Sequence, residues 1–135
     1  MPPLVRRALD KATEASVVVT PVAAPNPHDS TIVKMEFATA ADVTQMMRCG
    51  AVGEIASHWW FNKAGQAVEM DQMRPIGLGI DGLRRIVKNR GRVVAVVAAS
   101  KERIEPLRVA LENKAGPFVN VLVTDHVTAR ELLRN

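Results

Sequence analysis

Three short apolar runs rich in valine constrain the fold of this chain more than any other feature. They lie at 16–20, 92–99 and 118–123. Strands that are buried on both faces of a sheet form continuous apolar runs of this kind, whereas half-exposed strands alternate apolar and polar residues. Segments with helical spacing of apolar residues lie between and after these runs. The alternation predicts an α/β fold with a mostly parallel sheet and helices on both of its faces.

The segment between the first two runs gives weaker signals. Prolines and an asparagine predict a loop over 21–29, and weak alternation predicts a short extended segment over 31–37. Thr39 and Asp42 have the spacing of a capping box and predict the start of a helix. Large apolar residues predict one strand over 52–61.

Single residues predict where the later helices begin. Asp81 is suited to cap a short helix, and Asp125 is suited to cap the last one. Pro106 lies inside the helical pattern that follows Ser100, so that helix is expected to begin late or with a distorted turn.

Length and composition limit the classes of protein to which the chain can belong. A chain of 135 residues suits one domain, and its single cysteine, Cys49, excludes an internal disulfide. No apolar run approaches the ~20 residues of a membrane span, and the N-terminus lacks an apolar signal-peptide core. We therefore expect a soluble cytoplasmic protein with no membrane contact. The net charge of +4 favours an anionic ligand or a solvated basic surface.

A candidate binding site lies where the parallel strands end. Ligands of open parallel sheets bind at the carboxyl ends of the strands, which here are the loops 20–22, 99–101 and 124–126. The backbone N–H groups near Ser100 start a helix and favour an anion. Lys101 and Arg103 oppose the dipole of that helix, and a bound phosphate or carboxylate would reverse this penalty. Alternatively, both are exposed basic side chains that point into water.

A second candidate comprises Gly53 and Glu54, within the segment GAVGEI at 50–55. Glu54 lies between small and apolar neighbours and can accept hydrogen bonds from ligand hydroxyls. The alternative is a turn followed by a strand whose glutamate faces solvent.

The sequence lacks the spacings typical of catalytic or metal sites. His28, His58 and His126 do not pair with each other at helical spacing, and no cysteine or acidic residue completes a ligand set. No serine lies in a nucleophile-elbow motif, and Gly77 and Gly79 lack the third glycine of a dinucleotide fingerprint. We therefore expect no metal, no cofactor and no enzymatic activity.

The order of several motifs over 50–133 resembles the effector-binding domain of the SorC family of sugar-responsive bacterial transcriptional regulators. The matching segments are GAVGEI at 50–55, WW at 59–60, Gly65, IG at 76–77, LRRI at 83–86, VVAAS at 96–100, NVLVTD at 120–125, TA at 128–129 and LL at 132–133.

The resemblance implies a Rossmann-like fold similar to the sugar-phosphate isomerases and deaminases of the NagB/RpiA type. It implies that 1–135 forms a single α/β domain, the C-terminal portion of a sugar-binding effector domain and thus an incomplete one. DNA would be bound only through a helix-turn-helix domain that this chain does not contain. The expected ligand is a phosphorylated sugar or a related small anionic metabolite, and the expected assembly is a homo-oligomer.

Residue roles follow from the same resemblance. Arg103 takes the place of a phosphate-contacting lysine, and Glu54 takes the place of the aspartate of a Gly-Asp-Ile motif. Asp125, with Glu54, would orient sugar hydroxyls. Two other functions remain open: a small sugar-phosphate isomerase with Glu54 or Asp125 as general base, and a fragment that serves only oligomerisation.

Overall fold

The computed structural model describes residues 1–71, 73–98 and 101–134. The helices are α1 (Pro3–Thr13), α2 (Thr31–Lys34), α3 (Ala40–Arg48), α4 (Gly79–Lys88), α5 (Ile104–Leu111) and α6 (His126–Leu133), with a 3-10 turn at Lys101–Arg103. The strands are β1 (Val17–Thr20), β2 (Val22–Ala23), β3 (Ala51–Ile55), β4 (Trp59–Asn62), β5 (Ala67–Val68), β6 (Arg92–Val96) and β7 (Val121–Val123). No helix in these described stretches is long and apolar enough to cross a membrane.

The three valine-rich runs form a parallel sheet of order β1-β6-β7. The register places Val18 beside Val93, and Val94 beside Val121. This confirms the predicted α/β fold and its parallel sheet. A second sheet, of order β2-β3-β4-β5, is antiparallel and was not anticipated from the sequence.

One face of the parallel sheet packs into the main core. Val93 and Ala95 of β6 are fully buried there, together with Leu83 of α4 and Leu107 of α5. The opposite face carries Val17, Val19, Val96 and Val123, which are 49% to 67% exposed. Because parallel sheets are normally covered on both faces, this valine face is a surface that further protein can cover.

The antiparallel sheet joins the main core through β4. Phe61 packs edge-on against Phe118, with ring centroids 5.0 Å apart and an interplanar angle of 66°. Gly53 of β3 lies directly against Phe61 and against Pro106 of α5, since a Cβ built there would be 2.3 Å from Phe61 Cζ and 2.8 Å from Pro106 Cβ. The absence of a side chain at Gly53 therefore allows α5 to pack on β3.

The predicted single strand over 52–61 is wrong, because β3 and β4 form a hairpin. Ala56, Ser57 and His58 have φ values of 50°, 63° and 74°, so three consecutive residues reverse the chain in the left-handed region. The sequence carries no glycine or asparagine at these positions, which are the usual signals for such a turn.

The predicted extended segment over 31–37 is also wrong, because α2 occupies 31–34. The N–H of Lys34 donates to the Ser30 carbonyl and closes one helical turn. In addition, β2 lies inside the predicted loop over 21–29.

Two of the three capping predictions are confirmed. Thr39 and Asp42 form the capping box of α3, and Asp125 caps α6. A 3-10 turn precedes Pro106, which confirms the predicted late start of that helix. Asp81, however, lies inside the first turn of α4, where it pairs with Arg84 and does not serve as the N-cap.

Candidate functional site

The carboxyl end of β1 meets the β3–β4 hairpin, and this junction forms the candidate site. Thr20 is buried, and its Oγ1 accepts a hydrogen bond from the Ala56 N–H at 3.0 Å while donating to the Pro21 carbonyl at 3.0 Å. Next to it, Ala23 of β2 pairs with Glu54 of β3. The hairpin turn is thereby fixed at the edge of the parallel sheet where ligands of such sheets bind.

The left-handed turn brings a histidine back onto the strand that precedes it. His58 Nδ1 lies 3.4 Å from Glu54 Oε2, and the two side chains are 25% and 15% exposed. Non-glycine residues in the left-handed region are strained, and such strain is retained most often at functional sites. Here the strained backbone positions the His58 ring beside the Glu54 carboxylate.

A pocket of about 280 Å³ opens above this pair. Its polar groups come from Thr31, Glu54, Ser57 and His58, and its remaining lining residues are Pro21, Ala23, Met35, Ile55 and Ala56. A few convergent polar groups on a mostly apolar wall are typical of sites for small polar molecules. We call this the Glu54 pocket.

Burial dominates the electrostatics of the Glu54 pocket. It raises the pKa of the Glu54 carboxyl, and the hydrogen bond and charge of His58 oppose this effect. A carboxylate held partly out of water binds a hydroxyl donor more strongly than a solvated one does, because less solvent competes for it.

The raised pKa predicts how Glu54→Gln changes stability with pH. Since the folded-state pKa lies above the unfolded-state value, the carboxyl has no net effect below the unfolded pKa and destabilises the fold as pH rises through the folded pKa. Relative to the parent, Glu54→Gln should therefore become more stable between pH 4 and pH 7. Urea unfolding at both pH values measures this change.

Asp42→Asn provides a control of opposite sign. Hydrogen bonds from the backbone and side chain of Thr39 lower the pKa of Asp42, so its contribution is present at neutral pH and is lost as pH falls. Asp42→Asn should therefore be less stable than the parent throughout pH 4 to pH 7, and the difference should shrink only as pH falls below the ordinary pKa of 3.8. A pH-independent difference for Glu54→Gln would contradict the assignment of a buried carboxylate.

The other predicted site residues lie apart from this pocket. Lys101 and Asp125 line a separate groove of about 400 Å³ with Ile104, His126, Val127, Thr128 and Glu131. The Asp125 carboxylate accepts hydrogen bonds from the N–H groups of Val127 at 2.9 Å and Thr128 at 2.8 Å. Asp125 therefore serves as the N-cap of α6.

The predicted anion site is only partly described. Ser100 lies outside the described residues. Lys101 and Arg103 begin and end the 3-10 turn, which contacts β2, the strand that carries Ala23 into the Glu54 pocket. The described lining of that pocket includes neither side chain.

The structure thus brings Glu54 together with His58, a residue to which sequence analysis gave no binding role. The available signal was its position four residues after Glu54, which brings the two together only if the chain turns between them. Within the described stretches, no three His, Cys, Asp or Glu side chains are close enough to hold a metal ion.

Comparison with known families decides the class of the chain. The family model described as "Putative sugar-binding domain" matches residues 2–134. The chain belongs to this family. The match confirms the resemblance seen over 50–133, extends it to nearly the whole sequence, and places the Glu54 pocket inside a sugar-binding domain.

Solved structures agree with this family on the fold. A DeoR family transcriptional regulator from Listeria monocytogenes has a TM-score of 0.81 at 24% identity, and the match covers 98% of this chain and 50% of that one. The "Putative Sugar-Binding Domain" of a transcriptional repressor from Vibrio fischeri has a TM-score of 0.77 at 26% identity, covering 98% and 49%. The sorbitol operon regulator SorC from Klebsiella pneumoniae has a TM-score of 0.69 at 16% identity, covering 98% and 42%.

The chain therefore spans about half the length of these solved proteins or less. No curated protein matches it.

Proposed function

We propose that this chain is the effector-sensing part of a bacterial transcriptional regulator, which binds a sugar or a sugar phosphate and does not convert it. The observation that carries the proposal is the Glu54 pocket, at the carboxyl edge of the parallel sheet in a domain of the sugar-binding family. Two of the solved structures with this fold are a transcriptional regulator and a domain of a transcriptional repressor.

Glu54 is the principal sugar-binding group in this proposal. A carboxylate accepts several hydrogen bonds and donates none, so it suits a ligand that presents neighbouring hydroxyl donors. His58, at 3.4 Å, holds the carboxylate in place and offers a ring nitrogen to the ligand. The apolar walls, Ile55 and Met35 among them, exclude water that would compete for the carboxylate.

One candidate position for a phosphate on the sugar is the 3-10 turn. Arg103 and Lys101 supply positive charge there, together with backbone N–H groups near Ser100. The contact between this turn and β2 supports the assignment, because β2 forms part of the Glu54 pocket. DNA would be recognised through a helix-turn-helix domain outside this sequence, in the cytoplasm and in a homo-oligomeric regulator.

Titration calorimetry with a panel of hexoses, pentoses and their phosphates tests the sugar-binding role of Glu54. For any member that binds, Glu54→Gln should weaken binding by about 10- to 100-fold, because hydrogen bonds to a charged group contribute about 1.5–3 kcal/mol. Each ligand should be recovered unchanged from the titration, since the chain is proposed to sense it only.

Glu69→Gln is the matched control, because it removes the same charge at an exposed position on the surface. It should bind like the parent. The proposal is contradicted if no member of the panel binds the parent, or if Glu54→Gln binds as tightly as Glu69→Gln. Turnover of a bound sugar phosphate that disappears in Glu54→Gln would instead favour an isomerase.

A further inference from the structure

A second pocket borders the Glu54 pocket, and His58 lines both of them. The second pocket has a volume of about 310 Å³ and is lined by Ile32, Phe37, His58, Trp60, Met73, Arg74 and Pro75. The helix α2 continues the shared wall, since Thr31 lines the first pocket and its neighbour Ile32 lines the second. A single ligand can therefore occupy both pockets by passing His58.

The chemistry of the second pocket differs from that of the first. Trp60 and Ile32 are 3% and 5% exposed and form an apolar floor, whereas Phe37 is 68% exposed. Such a wall suits the carbon skeleton of a ligand. Among the residues that line this pocket, Arg74 provides a permanent positive charge.

Among the described residues, the partner of the Arg74 side chain is Asp71, in a surface ion pair. Its Nη2 donates to Asp71 Oδ1 at 3.3 Å, and the two side chains are 70% and 97% exposed. Pairs this exposed contribute little to stability, so a ligand anion can replace Asp71 at small cost. An arginine at the rim of an apolar pocket suits the planar oxyanions of phosphates and carboxylates.

We propose that the ligand of the Glu54 pocket extends past His58 into the second pocket and ends there in an oxyanion, a phosphate or a carboxylate, bound by Arg74. The inference rests on the proposed sugar-binding function. It assigns the hydroxyl groups of the ligand to Glu54, and it assigns the charge of the ligand to Arg74 in place of the 3-10 turn.

Calorimetry with three series of probes tests the inference: neutral hexoses and pentoses, their terminal phosphates, and the corresponding uronic acids. Arg74→Met should weaken the binding of the anionic members by about tenfold or more and leave that of the neutral parents unchanged. The series that loses affinity identifies the oxyanion. Asp71→Asn should strengthen the binding of the same anionic members by about threefold, because it removes the competing carboxylate.

Two variants serve as controls. Arg48→Met removes one exposed arginine of α3 and should bind every probe like the parent. Arg103→Met tests the 3-10 turn. Tenfold weaker anion binding by Arg103→Met, with Arg74→Met unchanged, would overturn the inference and assign the charge to that turn.

The remaining outcomes separate the two proposals. If Glu54→Gln weakens binding while Arg74→Met and Asp71→Asn bind like the parent, the inference fails and the proposed function stands. An equal loss for neutral and anionic probes in Arg74→Met also overturns it, because the arginine would then act through the fold. If no probe binds the parent protein, both proposals fail.

Discussion

Gly53→Ala is expected to destabilise the fold by about 2–3 kcal/mol, although it adds only one methyl group. That methyl would lie 2.3 Å from Phe61 Cζ and 2.8 Å from Pro106 Cβ, far inside normal contact. The Phe61 ring is fully buried and packs against Phe118, so it has little room to move. Either β3 or α5 must therefore shift. The free energy of unfolding in urea measures the loss.

Gly77→Ala is the matched control for this prediction. Among the described residues, a Cβ at Gly77 would contact Trp59 Nε1 alone, at 3.4 Å, so the change should stay within about 0.5 kcal/mol. Equal small losses for the two variants would contradict the close packing of α5 on β3 at Gly53. Normal stability with lost sugar binding in Gly53→Ala would assign the glycine to the ligand, the role that sequence analysis predicted for it.

The elements that were predicted correctly depend on local information. The valine-rich runs predicted parallel strands, and the runs at 16–20 and 92–99 indeed pair in parallel, although only one face of this sheet is buried. The capping residues Thr39, Asp42 and Asp125 were also recognisable, since the bonds that they make reach only two or three residues along the chain.

The errors occur where tertiary contacts override local preference. Ala56 and Ser57 do not favour left-handed backbone, and the hydrogen bond from the Ala56 N–H to Thr20 joins residues 36 positions apart. The sequence pattern of 52–61 is therefore that of one continuous strand, and the hairpin was missed.

In the candidate site, too, local features were predicted from the sequence and features that depend on tertiary contacts were not. The rule that ligands bind at the carboxyl ends of parallel strands pointed to the edge of the sheet where the Glu54 pocket lies, and the context of Glu54 singled out that residue. The rule could not show that Glu54 lies in one pocket and that Lys101 and Asp125 lie in another. The position of the Glu54 pocket depends on the pairing of β2 with β3, which the sequence did not predict. His58 was missed with the hairpin that brings it to Glu54.

Arg84→Met is expected to cost about 3 kcal/mol of stability, because the arginine joins two distant turns to α4. Its Nε donates to the Gly116 carbonyl at 2.9 Å, and its Nη2 donates to the Gly65 carbonyl at 2.6 Å. The guanidinium also lies 5.7 Å from the centre of the Phe118 ring, and the side chain is only 11% exposed. Methionine fills similar space but leaves both carbonyls without their charged donor, a loss of about 1–3 kcal/mol for each.

Arg85→Met is the control, because it makes the same change of charge and helix propensity at the next residue of α4, which is exposed. It should change the free energy of unfolding by less than about 0.5 kcal/mol. Arg84→Lys should recover only part of the loss, because one ammonium cannot match the fork that serves Gly65 and Gly116 together. If Arg84→Met unfolds at the same urea concentration as Arg85→Met, the two turns do not depend on this arginine. Full recovery by lysine would mean that the charge over Phe118, and not the paired hydrogen bonds, provides the stability.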